Sequence, residues 1–329
     1  MRQSSSVIGV VLKGRQLRVP MPQDDGLFYL CNFCYSARYR FSAYPMLHLT
    51  ECPRDAMQGW PTFIPTADKT AYLNTLLRVG FDTLDFGSFV SPKAIPQLAD
   101  TAEVLAGLDL GQSGTQLLAI VANLRGAETA AQYAQIRYIG FPLSVSETFQ
   151  QRNTNKSIAQ ALEDVERMQE LCARTGQQQV VYLSMGFGNP YGDPWSPEVL
   201  GQFTQKLDAL GVTIVALSDT IGASTPAIIS PAFRELTAAF PHIRFGAHLH
   251  TTPDSWREKV QAAYEAGCRH FDGALGGYGG CPMAADQLTG NMPTERLLDF
   301  ATEVGEQPAL NTEALREAME WNQRIFAGH

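Results

Sequence analysis

Two histidines, His248 and His250, stand two positions apart in the run Phe245-Gly246-Ala247-His248-Leu249-His250. In an extended strand successive side chains alternate between faces, so both imidazoles project from one side while Leu249 projects from the other. A lone histidine is more often structural, but a matched pair at a strand end is a ready set of nitrogen ligands for a metal ion. Asp55, in Glu51-Cys52-Pro53-Arg54-Asp55-Ala56-Met57-Gln58, lies just past another strand end and offers an oxygen. Arg54 beside it is suited to steadying negative charge on a substrate oxygen, although an Arg-Asp pair by itself reads equally well as a surface ion pair. Asp219, in Leu217-Ser218-Asp219-Thr220, is either a further site carboxylate or a loop-capping one. A glycine-rich loop, Gly276-Gly277-Tyr278-Gly279-Gly280-Cys281-Pro282, brings in a thiol, which titrates near neutral pH and suits an acid or base role. Its glycine spacing is not that of a dinucleotide-binding turn. Carboxylate, two imidazoles and the amide of Asn291 form a mixed oxygen and nitrogen set. That set favours a harder divalent ion, Mg²⁺ or Mn²⁺, over a structural zinc. Such an ion would act as a Lewis acid on a hydroxyl and a neighbouring carbonyl, the chemistry of making or breaking a carbon–carbon bond through an enolate.

These residues meet only if the fold brings the ends of distant strands together. From Met46 onward, eight β-rich runs alternate with helical patterns: 46–52, 83–86, 116–121, 137–141, 180–185, 213–218, 244–250 and 270–274. The helical patterns lie near 67–79, 94–106, 125–134, 158–174, 197–210, 226–239 and 253–266, with an eighth after Pro293. Ser196-Pro197, Thr225-Pro226 and Thr252-Pro253 each read as a hydroxyl cap followed by proline in the first turn, where the missing amide costs nothing. Gly80, Gly176, Gly211 and Gly267 mark helix ends. Eight strand–helix units of similar length predict a closed (β/α)8 barrel over 46–306, preceded by an N-terminal extension, 1–45. A C-terminal helical segment within 307–329 then packs on the barrel. In such a barrel the reacting groups sit at the C-terminal strand ends.

Composition narrows the partners. The chain of 329 residues is 45% hydrophobic and 18% charged, which excludes disordered and fibrous classes. Its net charge is −8, and the first 45 residues are basic, so the barrel segment is more acidic still and repels nucleic acid. No apolar run approaches the roughly 20 residues needed to span a bilayer. Six cysteines in a chain of this length indicate a reducing, cytoplasmic setting rather than a disulfide scaffold, and Cys31-x-x-Cys34 is an isolated pair.

The motifs ECPRDAMQ, GSFVSPKAIPQLAD, LSDTIGASTP, GAHLH and GGCPMAADQLTGNMPTE together resemble those of hydroxymethylglutaryl-CoA lyases. These belong to the metal-dependent aldolase-like barrel superfamily that also holds isopropylmalate and homocitrate synthases. The resemblance spans about 46–306 and implies retro-Claisen cleavage of 3-hydroxy-3-methylglutaryl-CoA to acetyl-CoA and acetoacetate. It implies Asp55, His248, His250 and Asn291 as metal ligands, Arg54 as stabiliser of the enolate-like intermediate, Cys281 as proton shuttle and Asp219 as helper at the substrate hydroxyl. Asp85 stands where the lyases usually carry glutamate, Pro61 where a lysine is familiar, and the stretch from Cys281 to Asn291 is one residue longer. Gln58, Lys93, Arg152 and Lys156 are the candidates for substrate or CoA contacts, and a homodimer follows by family analogy. A Claisen-type synthase, a related hydroxyacyl-CoA lyase or an oxo-acid aldolase is the nearest alternative, and a non-catalytic acyl-CoA-binding barrel a more distant one.

Overall fold

The computed structural model describes residues 46–111, 113–280 and 289–326, together with two strands nearer the N-terminus. Those two, β1 (Val7–Leu12) and β2 (Arg15–Pro20), pair antiparallel as a hairpin within a unit, residues 1–45, that is separate from the rest of the chain. Cys31 and Cys34 lie outside the described residues.

From Met46 the eight expected strands are all present: β3 (His48–Glu51), β4 (Thr83–Ser88), β5 (Gln116–Ile120), β6 (Ile136–Ser144), β7 (Gln178–Ser184), β8 (Ile214–Asp219), β9 (Arg244–Leu249) and β10 (His270–Gly273). Each is parallel to its neighbours, and β10 pairs with β3 (Phe271 opposite Leu49), which closes the barrel. Strand parity divides the side chains. Leu118, Tyr138, Val180, Tyr182, Ile214 and Ala216 line the inside of the barrel, while a far larger apolar cluster lies between the sheet and the surrounding helices.

The helices are α1 (Pro53–Gln58), α2 (Thr66–Val79), α3 (Thr101–Ala106), α4 (Leu124–Ala130), α5 (Glu147–Thr154), α6 (Ile158–Thr175), α7 (Pro197–Ala209), α8 (Pro226–Ala239), α9 (Trp256–Glu265), α10 (Thr294–Val304) and α11 (Thr312–Phe326). Ser196 caps α7 as expected, its hydroxyl accepting from the Val199 amide. Thr252-Pro253 does not start a helix. Thr252 Oγ1 lies 3.0 Å from Ser255 Oγ in a preceding turn, and α9 begins only at Trp256. Two short helices, α1 and α5, were not expected from the sequence. The terminal helix, α11, packs along α2, and Asn322 on it donates to Tyr72 Oη (3.1 Å) and to the Leu275 carbonyl (3.0 Å).

Candidate active site

The site forms at the C-terminal rim of the barrel, where α1 turns what looked like a post-strand loop into a positioned helix. Pro53 occupies the first turn of α1, so Arg54 and Asp55 stand four and three helical positions before Gln58. Residues three and four apart on a helix are neighbours. Gln58 Nε2 accordingly donates to Asp55 Oδ1 (2.5 Å), and Arg54 Nη1 donates to Gln58 Oε1 (2.9 Å) and to Asp55 Oδ1 (3.0 Å). The other edge of the same guanidinium grips Asp85 of β4, with Nη2 at 2.6 Å and Nε at 3.0 Å from Oδ2. Gln58 therefore orients Arg54 and Asp55 before it touches any ligand.

Asp55, His248 and His250 each present a ligand atom within 4.8 Å of the others. Asn291 Nδ2 donates to Asp55 Oδ2 (2.8 Å), so all four sequence-predicted metal ligands converge. His248 Nδ1 lies 3.1 Å from Asp272 Oδ2 on β10, the arrangement that fixes ring orientation and tautomer in a metal-binding histidine. Buried Nδ1 of His250 has no hydrogen-bond partner among the described residues. An orphaned imidazole nitrogen beside a carboxylate and a second imidazole fits a divalent cation. Asp272 and His248 also approach Cys52 closely enough to form a second, thiol-containing trio, but the hydrogen bond gives Asp272 a direct role in orienting His248.

Electrostatics favours the ligand forms. Burial works to raise the Asp55 carboxyl, but Arg54, the two imidazoles and the Asn291 amide prevail and hold it below the ordinary carboxylate range. His250 is lowered to about 4, by burial first and then by His248, so its ring is neutral at neutral pH as a ligand must be. Burial also pushes Asp85 up to about 6, against the opposing pull of Arg54.

A cavity of about 230 Å³ opens above this cluster, with Arg54, Asp55, Gln58, His248 and His250 at its polar end. The base of the glycine loop closes down beside it. Gly279 has φ +95°, and a Cβ there would come within 2.7 Å of Asn291 Nδ2 and of the Asp55 carbonyl, so only glycine lets the loop approach. Cys281 lies outside the described residues.

The remaining candidates are placed differently. Asp219 is buried on the outer face of β8, where Oδ2 accepts from Lys259 Nζ (2.8 Å) and from Ser224 Oγ (2.5 Å). The inward position is that of Ser218, which pairs across from His248 and lines the cavity. The expected role of Asp219 at a substrate hydroxyl is therefore not what this geometry offers. Instead, Lys259 also donates to the His250 carbonyl (2.9 Å) and the Gly222 carbonyl (2.9 Å), which ties Asp219 to the backbone of His250. Lys93 is exposed beside the cavity-lining Ala94 and Ile95, and Arg152 lies over the Tyr191 ring (5.2 Å) next to the cavity-lining Asn153. Lys156 forms an ion pair with Asp164 and so is already partnered.

Sequence reasoning missed Asp272, Lys259 and Glu51. Glu51 is fully buried behind β3, accepts from Thr294 Oγ1 (2.5 Å) and the Leu275 amide (2.9 Å), and is pushed up to about 8 by burial. Strand parity held the signal for Asp272, which is two residues after His270 and faces inward with it.

The barrel has known relatives. The family described as HMGL-like matches residues 49–321. A hydroxymethylglutaryl-CoA lyase of Bacillus subtilis is 33% identical over 82% of this chain and 89% of its own. An (R)-citramalyl-CoA lyase of Chloroflexus aurantiacus is 30% identical over 82% of this chain and 87% of its own. Among solved structures, an HMG-CoA lyase from Acinetobacter baumannii in complex with coenzyme A and 3-methylmalate superposes with a TM-score of 0.79. That match has 30% identity and covers 87% of this chain and 93% of the other. A closed eight-stranded barrel with a carboxylate–imidazole rim, matched along most of its length, is thus a carbon–carbon lyase scaffold, and the chain belongs to the HMGL-like family.

Proposed function

We propose that the chain cleaves 3-hydroxy-3-methylglutaryl-CoA to acetyl-CoA and acetoacetate, with Asp55, His248, His250 and Asn291 holding Mg²⁺ or Mn²⁺. The observation that carries this reading is the convergence of Asp55, His248 and His250 within 4.8 Å at the polar end of a cavity that Arg54 also lines. A divalent ion held there would supply Lewis acidity toward the substrate's hydroxyl and carbonyl oxygens.

The chain's own residues carry the rest. A base removes the proton of the tertiary hydroxyl. The C–O bond becomes a ketone as the adjacent carbon–carbon bond breaks, and the electron pair passes to the thioester as an enolate. Arg54 is held by Asp85 and Gln58 and keeps its positive charge, so its fixed donors steady the negative charge that develops on that enolate oxygen. A proton then returns to carbon, a step this reading assigns to Cys281. Asp219 acts as a positioning residue through Lys259. Lys93 and Arg152, near the cavity mouth, are the cations proposed for the CoA phosphates.

The reading extends to a cytoplasmic homodimer. Cys52, Cys172 and Cys268 are free and buried, which suits a reducing compartment, and light scattering measures the assembly directly. No helix among the described residues is long and apolar enough to cross a membrane.

A panel of acyl-CoA substrates with mass-spectrometric readout, with and without chelator, tests the activity. Acetoacetate and acetyl-CoA from 3-hydroxy-3-methylglutaryl-CoA, abolished by chelator and restored by Mg²⁺ or Mn²⁺, is the expected result. Pyruvate and acetyl-CoA from citramalyl-CoA alone would move the substrate to the second lyase. No cleavage of either would overturn the reading.

A further inference from the structure

The barrel is open at both ends. At the N-terminal mouth, opposite the site described above, lies a second cavity of about 310 Å³, against about 230 Å³ for the first. Tyr182 faces both spaces, and the bonded pair His248 and Asp272 spans the partition, with His248 lining the upper cavity and Asp272 the lower.

An eight-stranded barrel is ordinarily filled by its inward side chains. This one is left hollow by small residues, above all Gly246 on β9. Gly246 has no positive φ that would demand glycine, and a Cβ added there would meet nothing closer than 3.7 Å. Neither backbone conformation nor crowding accounts for glycine at this position, and its effect is to leave space beside Arg244 and His270.

The groups that face the space carry unequal commitments. Asp82 is already engaged by His48 Nδ1 (2.7 Å) and by the Leu49 amide (3.1 Å), and Asp272 by His248. His270 stacks on His48 with ring centroids 4.5 Å apart, and its ring nitrogens make no hydrogen bond among the described residues. Arg244 has no ion pair or side-chain hydrogen bond among them either, its guanidinium lying 5.4 Å from the centre of the Tyr138 ring. Both carboxylates are therefore partnered, while a guanidinium fork and an imidazole are left with free donors. The pocket is open to solvent, since the side chains of His48 and Asp82 at its mouth are 41% and 34% exposed.

We propose that this mouth is a second binding site, for a small oxyanion such as a carboxylate or phosphate, held by Arg244 and His270. A planar guanidinium pairs with either anion through parallel N–H bonds, and the neighbouring imidazole adds a third donor. Gly246 supplies the room.

Calorimetric titration of the full chain with inorganic phosphate, and separately with succinate, tests the site and distinguishes the two chemistries. Saturable binding of one or both is expected, weakened about tenfold or more in Arg244→Gln. Gly246→Val keeps every charge but fills the space, and is expected to weaken binding to the same degree, with melting temperature recorded for both variants to confirm folding. Arg54→Gln, at the opposite rim, is expected to leave it unchanged. Absence of saturable binding of both anions, undiminished binding in both lower-mouth variants, or loss in Arg54→Gln alone would overturn the proposal.

Discussion

Lys259→Met is the most informative perturbation of the site's support. Lys259 is 2% exposed and its ammonium makes three contacts, to Asp219 Oδ2 (2.8 Å), the Gly222 carbonyl (2.9 Å) and the His250 carbonyl (2.9 Å). Methionine keeps the unbranched shape and removes the charge, which leaves the Asp219 carboxylate buried with only Ser224 as partner. Removing one member of a buried pair costs about 3–5 kcal/mol, and two carbonyls lose a donor as well. Relaxation recovers part of this, so about 4 kcal/mol is the expected loss. In a domain of this size each kcal/mol shifts the melting temperature by about 2–4 °C, which gives a fall of about 10 °C. Thermal unfolding followed by circular dichroism reads this, with Asp219→Asn and the double variant beside it. The double variant should recover much of the loss, because no buried charge is left without its partner. A melting temperature for Lys259→Met within 2 °C of the parent chain would refute the reasoning. If Asp219→Asn lost turnover at an unchanged melting temperature, Asp219 would act on the substrate directly rather than through Lys259.

Three further outcomes follow from the same geometry. Glu51 keeps its proton in the folded chain up to about 8, while an ordinary glutamate loses it at 4.5, so the folded state binds the extra proton and stability falls as pH rises between those two values. Glu51→Gln should therefore be more stable than the parent at pH 8, by a few kcal/mol in denaturant unfolding, with the advantage gone near pH 4; equal offsets at both would contradict the burial argument. Asp272→Asn should weaken Mn²⁺ binding by about 10–100-fold in calorimetry without Asp272 touching the ion, because it orients His248. A chain beginning at Met46 should keep the melting temperature and turnover of the full chain, since residues 1–45 form a separate unit; loss of soluble protein would count against this.

The barrel was legible because β-rich runs and helical runs alternate with proline and glycine between them, and no tertiary contact is needed to see that rhythm. The paired histidines were legible for the same reason: parity is local. What was hidden depended on neighbours in space. Arg54 and Asp55 read as loop residues because Cys52-Pro53 looks like the end of a strand, yet Pro53 opens a six-residue helix that aims them. In α5, only Phe149 is strongly apolar, so its period is faint. Ser146, whose hydroxyl accepts from the Phe149 amide, was its signal. Lys259 looks like any solvated helix cation, yet its ammonium is buried against Asp219, at the end of β8, and the Gly222 and His250 carbonyls. Asp219 was misread although parity could have corrected it: Ser218 takes the inward position, so its neighbour must face the helices.

The charge of the buried cluster explains why the site suits a divalent cation. Asp55, Asp85 and Asp272 are buried around one guanidinium, that of Arg54, and two imidazoles. With the rings neutral and the carboxyls ionised, Arg54 offsets one carboxylate and two negative charges are left over in a low-dielectric interior, where unpaired charge is costly. Two groups respond to burial and to these neighbours. Burial pushes Asp85 up to about 6 despite its ion pair, and although burial favours a neutral ring, Asp272 and Asp55 raise His248 above the ordinary histidine range. Both groups are being driven toward the proton that would cancel a charge. A divalent cation held by Asp55 and the imidazoles would cancel the same two charges and leave Asp85 to hold Arg54. The Asp219–Lys259 pair is neutral as a unit and lies behind the strand, so it supports His250 without altering that balance. A monovalent ion would leave one charge uncancelled, and a thiolate from Cys52 would add a third negative charge.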